Sequence, residues 1–176
     1  MKRYAFLIVA ALFVPGVAQA ADNGCNFAAP SPLLKPHAYA GQSFMAKPDN
    51  AAVETATLSG GARLTINLSQ CVDAIGHEFV LTVPADPKIK RDFAGWVDFG
   101  LATLSGLKVR EASATSELIG FLEKARGIKP KNGVVALCRD GKGAAPCSWE
   151  SGGEFRIEVR PAAAGTRLTI AESVSG

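Results

Sequence analysis

Histidine is scarce in this chain, with only His37 and His77 among 176 residues. A zinc centre draws on clustered His, Cys and carboxylate ligands, so this poverty argues against a metal site. No Cys-x-x-Cys pair occurs, which removes the common redox motif. The Gly-x-Ser-x-Gly elbow, the His-Glu-x-x-His pair, a Gly-rich phosphate loop and a calcium loop are missing as well. No cofactor and no enzymatic constellation are expected. Charge of one sign is not in excess: setting aside Lys2 and Arg3, the 19 basic side chains come to within one of the 16 acidic ones. Nucleic-acid binding, which depends on a large cationic surplus, is not expected. Beyond the first twenty residues no apolar run approaches the roughly 20 needed to span a bilayer, so no membrane insertion is expected.

What the chain does carry at its start is a targeting pattern. Met1-Lys2-Arg3 precedes an apolar run from Ala5 to Val14, then Pro15-Gly16 and the small-residue site Ala18-Gln19-Ala20. A basic start, a short apolar core and an A-x-A ending describe an export signal peptide over residues 1–20. The mature protein is expected to begin at Ala21 and to be periplasmic or secreted. Cys25 is not the first residue after that cut, so a lipid anchor is not expected.

Four cysteines in an exported chain read as two disulfides. Cys138 and Cys147 flank a Gly- and Pro-containing stretch without apolar periodicity, so they are paired across the base of a loop; Cys25 and Cys71 pair by elimination. In the chain-entropy picture the two closures stabilise by roughly 2.7 and roughly 4 kcal/mol.

Residues 21–50 contain Pro30, Pro32, Pro36 and Pro48, which disfavour regular structure, and are expected to form an extended arm lying on the domain through Phe27, Leu33, Leu34, Tyr39 and Phe44. Residues 51–176 then form a single domain. Leu64, Ile66 and Leu68 alternate with polar residues after Ser59-Gly60-Gly61, the pattern of a hairpin; Phe79, Leu81 and Val83 mark a third strand ended by Pro84. Phe93, Val97, Leu101, Leu104 and Leu107 follow helical spacing behind an Asp92 cap, with Gly95, Gly100 and Gly106 as weak points. A second helix starts near Ser113 or Thr115 and carries Leu118, Phe121, Leu122 and Ala125 on one side, Glu117 early and Lys124 late. Strands return at Val134–Cys138, at 147–151, through Phe155, Ile157 and Val159, and through Leu168 and Ile170. The expectation is an α+β fold: an antiparallel sheet of about six to seven strands with a helix pair on one face, in the order β3-α2-β4. One short echo relates Gly61-Ala62-Arg63-Leu64-Thr65-Ile66 to Gly165-Thr166-Arg167-Leu168-Thr169-Ile170, too short to establish a duplication.

Two regions qualify as candidate sites. A crosslinked, Gly-rich loop carrying Arg139, Asp140 and Lys142, followed by Trp149, loses little entropy on docking, and Arg and Trp are typical interface anchors. This favours an exported binding protein, such as an inhibitor or immunity-type partner of a cell-envelope enzyme, whose partner is another envelope or secreted protein. The alternative is a small-ligand domain, with or without weak catalysis, whose apolar pocket is lined by Trp96, Phe99 and Phe121 with His77 at its mouth. His77 follows Asp73 by four residues, an arrangement able to orient an imidazole, but without a serine elbow its simpler role is to cap the core. The clusters Lys88, Lys90, Arg91 and Lys124, Arg126, Lys129, Lys131 border the helices and could join into an anion-attracting patch. Asn67-Leu68-Ser69 matches a glycosylation triplet, but Asn67 also reads as the solvent face of a strand.

Overall fold

The computed structural model describes residues 28–71, 74–86, 91–140, 147 and 152–175. The leader, Cys25, Asp73, Lys88, Lys90, Lys142 and Trp149 lie outside the described residues. In chain order the elements are β1 (Ala40–Lys47), β2 (Ala51–Thr57), β3 (Arg63–Cys71), β4 (Ala74–Pro84), α1 (Phe93–Gly106), α2 (Ser113–Ala125), β5 (Val134–Cys138), β6 (Glu154–Ala162) and β7 (Gly165–Ser175). The strands form one antiparallel sheet in the order β1-β2-β3-β4-β7-β6-β5.

Alternation along each strand turns one face of this sheet into the core. Val135, Ile157, Ile170, Phe79 and Ile66 stand in one register across five strands, and all five are buried. Each such side chain, taken from water, contributes about 1.5–3 kcal/mol. Both helices pack on this face, against β6 and β7. Gly100, read from sequence as a weak point of α1, has a packing reason: a Cβ there would stand 3.0 Å from Ile170 Cδ1, so glycine lets the helix approach the sheet. Asp92 caps α1 as its spacing implies, its Oδ1 accepting the Gly95 N–H at 2.8 Å.

The helix-covered face continues beyond the helices under the amino-terminal segment. Leu34 is fully buried and bridges to Val109, while Lys35 N–H donates to Lys108 O and Arg110 N–H to Leu33 O, each at 2.8 Å. The segment is thereby held against the chain that follows α1.

Three expectations are corrected. Four strands precede the helix pair and three follow it, not three and four: Ala40–Lys47 pairs with β2 as an edge strand, while Cys147 is in no strand and 148–151 lie outside the described residues. Proline-rich surroundings and a mostly exposed surface hid β1, whose strand state comes from pairing and not from apolar alternation. Among the described residues one disulfide is present, Cys138–Cys147, not two; Cys71 ends β3 at the hairpin to β4, and Cys25 is outside the description. The tie seen on the amino-terminal segment is instead a carboxylate, Glu54. Finally, α2 has Ala112 at its N-cap position with no side-chain cap, and both Ser113 and Thr115 lie inside the helix, Thr115 buried.

Candidate functional site

The sheet brings the candidate residues to three separate places. The first is where β5 leaves the sheet. Cys138 pairs with Glu154 of β6, the Arg139 N–H donates to Gly153 O at 3.0 Å, and the crosslink to Cys147, Cα to Cα 5.4 Å, closes the loop at that point. The backbone of Arg139 is therefore fixed by a strand on one side and a disulfide on the other. Its guanidinium lies over the ring of Phe155, 5.5 Å from the centroid, and Nη2 is paired with the Glu117 carboxylate of α2. Phe155 in turn stacks on Phe121 with centroids 5.4 Å apart and planes 16° from parallel. These groups, with Lys124 and Leu137, line a cavity of about 420 Å³.

The other terminal nitrogen, Arg139 Nη1, is shielded from solvent and has no hydrogen-bond partner among the described residues. A buried donor left without an acceptor costs about 1–3 kcal/mol, more when charged, so its presence at a cavity marks a place where an incoming acceptor is stabilised. Asp140 is exposed beside it.

The second place is formed by α1 and the sheet end below it. Trp96 and Phe99 meet edge to face, centroids 5.8 Å apart and planes at 85°, and Arg91 lies over both rings. They border a cavity of about 700 Å³ with Val83 and Pro84 from β4 and Thr166 from β7.

The third place holds His77. Its Nδ1 is 2.6 Å from Glu172 Oε1, and the two residues are directly paired across β4 and β7. The carboxylate seen on the imidazole comes from 95 residues away in sequence; the four-residue neighbour Asp73 lies outside the described residues. Both residues line a cavity of about 340 Å³ that runs across β1, β2, β3, β4 and β7. Ser69 also lines it, but Leu68 is the residue opposite His77, so Ser69 projects from the other face of the sheet.

Trp96 with Phe99, Phe121, and His77 thus line three different cavities, not the single pocket expected of them. The basic clusters also separate, with Arg91 at the second cavity, Lys124 at the first and Arg126 paired to Asp98 of α1 at 3.0 Å. Asn67 is engaged, its Nδ2 donating to Glu78 Oε2 at 2.6 Å.

Three carboxylate contacts escaped the sequence reading: those of Glu54 and Glu172, and that of Glu117, which was read only as the acidic start of a helix. Two carried a signal. Glu54 shares strand parity with Ala52 and Ala56, and Glu172 with Leu168 and Ile170, so each is a charge placed on the inward face of a strand. Such a residue requires a partner, and both have one. Glu117 carried none, because its partner Arg139 is brought in by the fold.

No protein-family model matches this chain, and no curated protein or solved structure does either.

Proposed function

We propose that this chain is an exported, disulfide-stabilised binding protein that recognises another envelope or secreted protein, in the manner of an inhibitor or immunity-type partner. The established frame is an α+β domain with a Cys138–Cys147 crosslink, in which no helix among the described residues is long and apolar enough to cross a membrane. The observation that carries the proposal is Arg139: anchored at the base of the crosslinked loop, lying over Phe155, and left with one nitrogen unpartnered among the described residues. An arginine pre-positioned in this way loses little side-chain entropy on binding and presents a charged donor to an acceptor on the partner. Asp140 continues the loop from Arg139, and Lys142 and Trp149, the other loop residues of this reading, lie outside the described residues.

A binding role is favoured over catalysis by the surroundings of His77. The imidazole has an orienting carboxylate, but Ser69, the one hydroxyl residue that lines its cavity among the described residues, projects from the other face of the sheet.

The test is affinity capture from envelope extracts with the oxidised protein as bait, run beside Arg139→Ala. A stoichiometric partner held by the unaltered protein and lost from the variant supports the reading. Capture of nothing, or equal capture by both, overturns it.

A further inference from the structure

We propose that the cavity under Arg91, distinct from the Arg139 surface, binds a small monocarboxylate with an aromatic body. The starting observation is a cation in an unusual setting. The Arg91 guanidinium carbon lies 5.1 Å from the Trp96 ring centroid and 4.9 Å from that of Phe99, so it rests in the notch of an edge-to-face aromatic pair. Among the described residues it takes part in no salt bridge. A guanidinium whose carbon stays close to two rings, with no carboxylate on it among the described residues, keeps its planar fork of donors for bidentate reception of a carboxylate.

The arm of Arg91 is positioned as well as its head. Gly95, in the first turn of α1, leaves room for it: a Cβ there would stand 3.2 Å from the capping Asp92 Oδ1, 3.3 Å from Arg91 Cβ and 3.5 Å from its Cγ. A larger residue at this position would crowd the base of the Arg91 side chain. Part of the ordering needed to receive an anion is therefore already present before a ligand arrives.

The space around this cation has the size and lining of a ligand site. An open-sided cavity of about 700 Å³ lies between α1 and the sheet end, within the size range of pockets that take small organic molecules. Val83, Pro84, Trp96 and Phe99 supply apolar surface, and the hydroxyls of Ser59 and Thr166 supply polar points. Asp86 also lines the cavity, so negative charge is already present there and a polyanion is disfavoured. One carboxylate on Arg91, with an aromatic body against the apolar wall, fits this balance; a di- or triphosphate does not.

The probe is 3-phenylpropionate, with 3-phenylpropionamide as its uncharged twin, titrated into the oxidised protein while the Trp96 indole N–H resonance is followed. The expected result is a saturable shift with the acid and about tenfold or greater weakening with the amide, the range lost when a charged hydrogen bond is removed. Arg91→Gln should weaken the acid by a similar factor and bring acid and amide together, Arg91→Lys should fall between, and Arg63→Gln, exposed on another face, should change nothing. No saturable shift, equal titration by acid and amide, or an unchanged dissociation constant in Arg91→Gln would each overturn the proposal. The Arg139 capture experiment reads a different surface, so either proposal can fail alone.

Discussion

Leu34 donates its backbone N–H to the carboxylate of Glu54, 3.1 Å away and fully inside the protein. The same oxygen accepts the Leu33 N–H at 2.8 Å, and the other carboxylate oxygen accepts from Gln42 Nε2 at 3.3 Å. One side chain of β2 thus binds two successive peptide groups of the amino-terminal segment. Glu54→Ala should lower the unfolding free energy by about 3 kcal/mol, because one buried and one half-buried donor lose a charged acceptor. Glu54→Gln keeps a carbonyl oxygen and should cost less. Denaturant unfolding measures both, and amide exchange at Leu33 and Leu34 should accelerate in the alanine variant. Unchanged exchange there would show that the carboxylate does not hold the segment.

The contact of His77 with Glu172 joins β4 to β7 at a position where both side chains are mostly shielded. A double-mutant cycle with alanine at each site should return a coupling of about 1 kcal/mol, the usual size for a hydrogen bond that is not fully exposed. A coupling near zero would mean that the pair is not maintained in solution.

Gly165 opens β7 at φ 140°, and a Cβ placed on it would fall 2.0 Å from Val83 O. Gly165→Ala must displace backbone in the strand next door and should destabilise by about 3 kcal/mol or more. Gly60, at φ 82°, has nothing within 4 Å of the same atom, so Gly60→Ala should cost only about 1 kcal/mol of backbone strain. Thermal or denaturant melts of the two variants should therefore separate clearly; similar losses would show that the strand contact at Gly165 relaxes.

Removing the crosslink with Cys138→Ser and Cys147→Ser together should destabilise the domain by roughly 2.7 kcal/mol in the chain-entropy picture. If Arg139 is the anchor, partner capture should weaken beyond this stability loss, since the arginine is then held from the strand side alone. Capture that is undiminished while the protein remains folded would detach the crosslink from recognition.

Much of the architecture was legible because strands and helices impose different periods on apolar residues. Helix α1 was visible from the spacing of Phe93, Val97, Leu101 and Leu104 and begins where Asp92 caps it. The β3 and β7 strands were visible from alternation, and their six-residue echo has a spatial counterpart: Leu64 and Leu168 both pair with Leu81, and Ile66 and Ile170 both pair with Phe79. The two copies flank β4 at one register, so like positions face like neighbours. By contrast β1 was illegible, since an edge strand with few buried residues has no alternation to show.

The sequence alone determined which residues face inward, because burial of apolar side chains is set by local spacing. It also determined that Cys138 and Cys147 close a loop, since a short polar stretch between two cysteines leaves little choice. Only the tertiary structure decided which charges meet. Glu172 reaches His77, Glu117 reaches Arg139 and Glu54 reaches Leu33 and Leu34 through strand order and helix docking. Trp96 and Phe121 were separated into different cavities by the same placement. Hydrogen bonds and ion pairs act over a few ångströms in space, and distance along the chain carries no information about them until the sheet has closed its register.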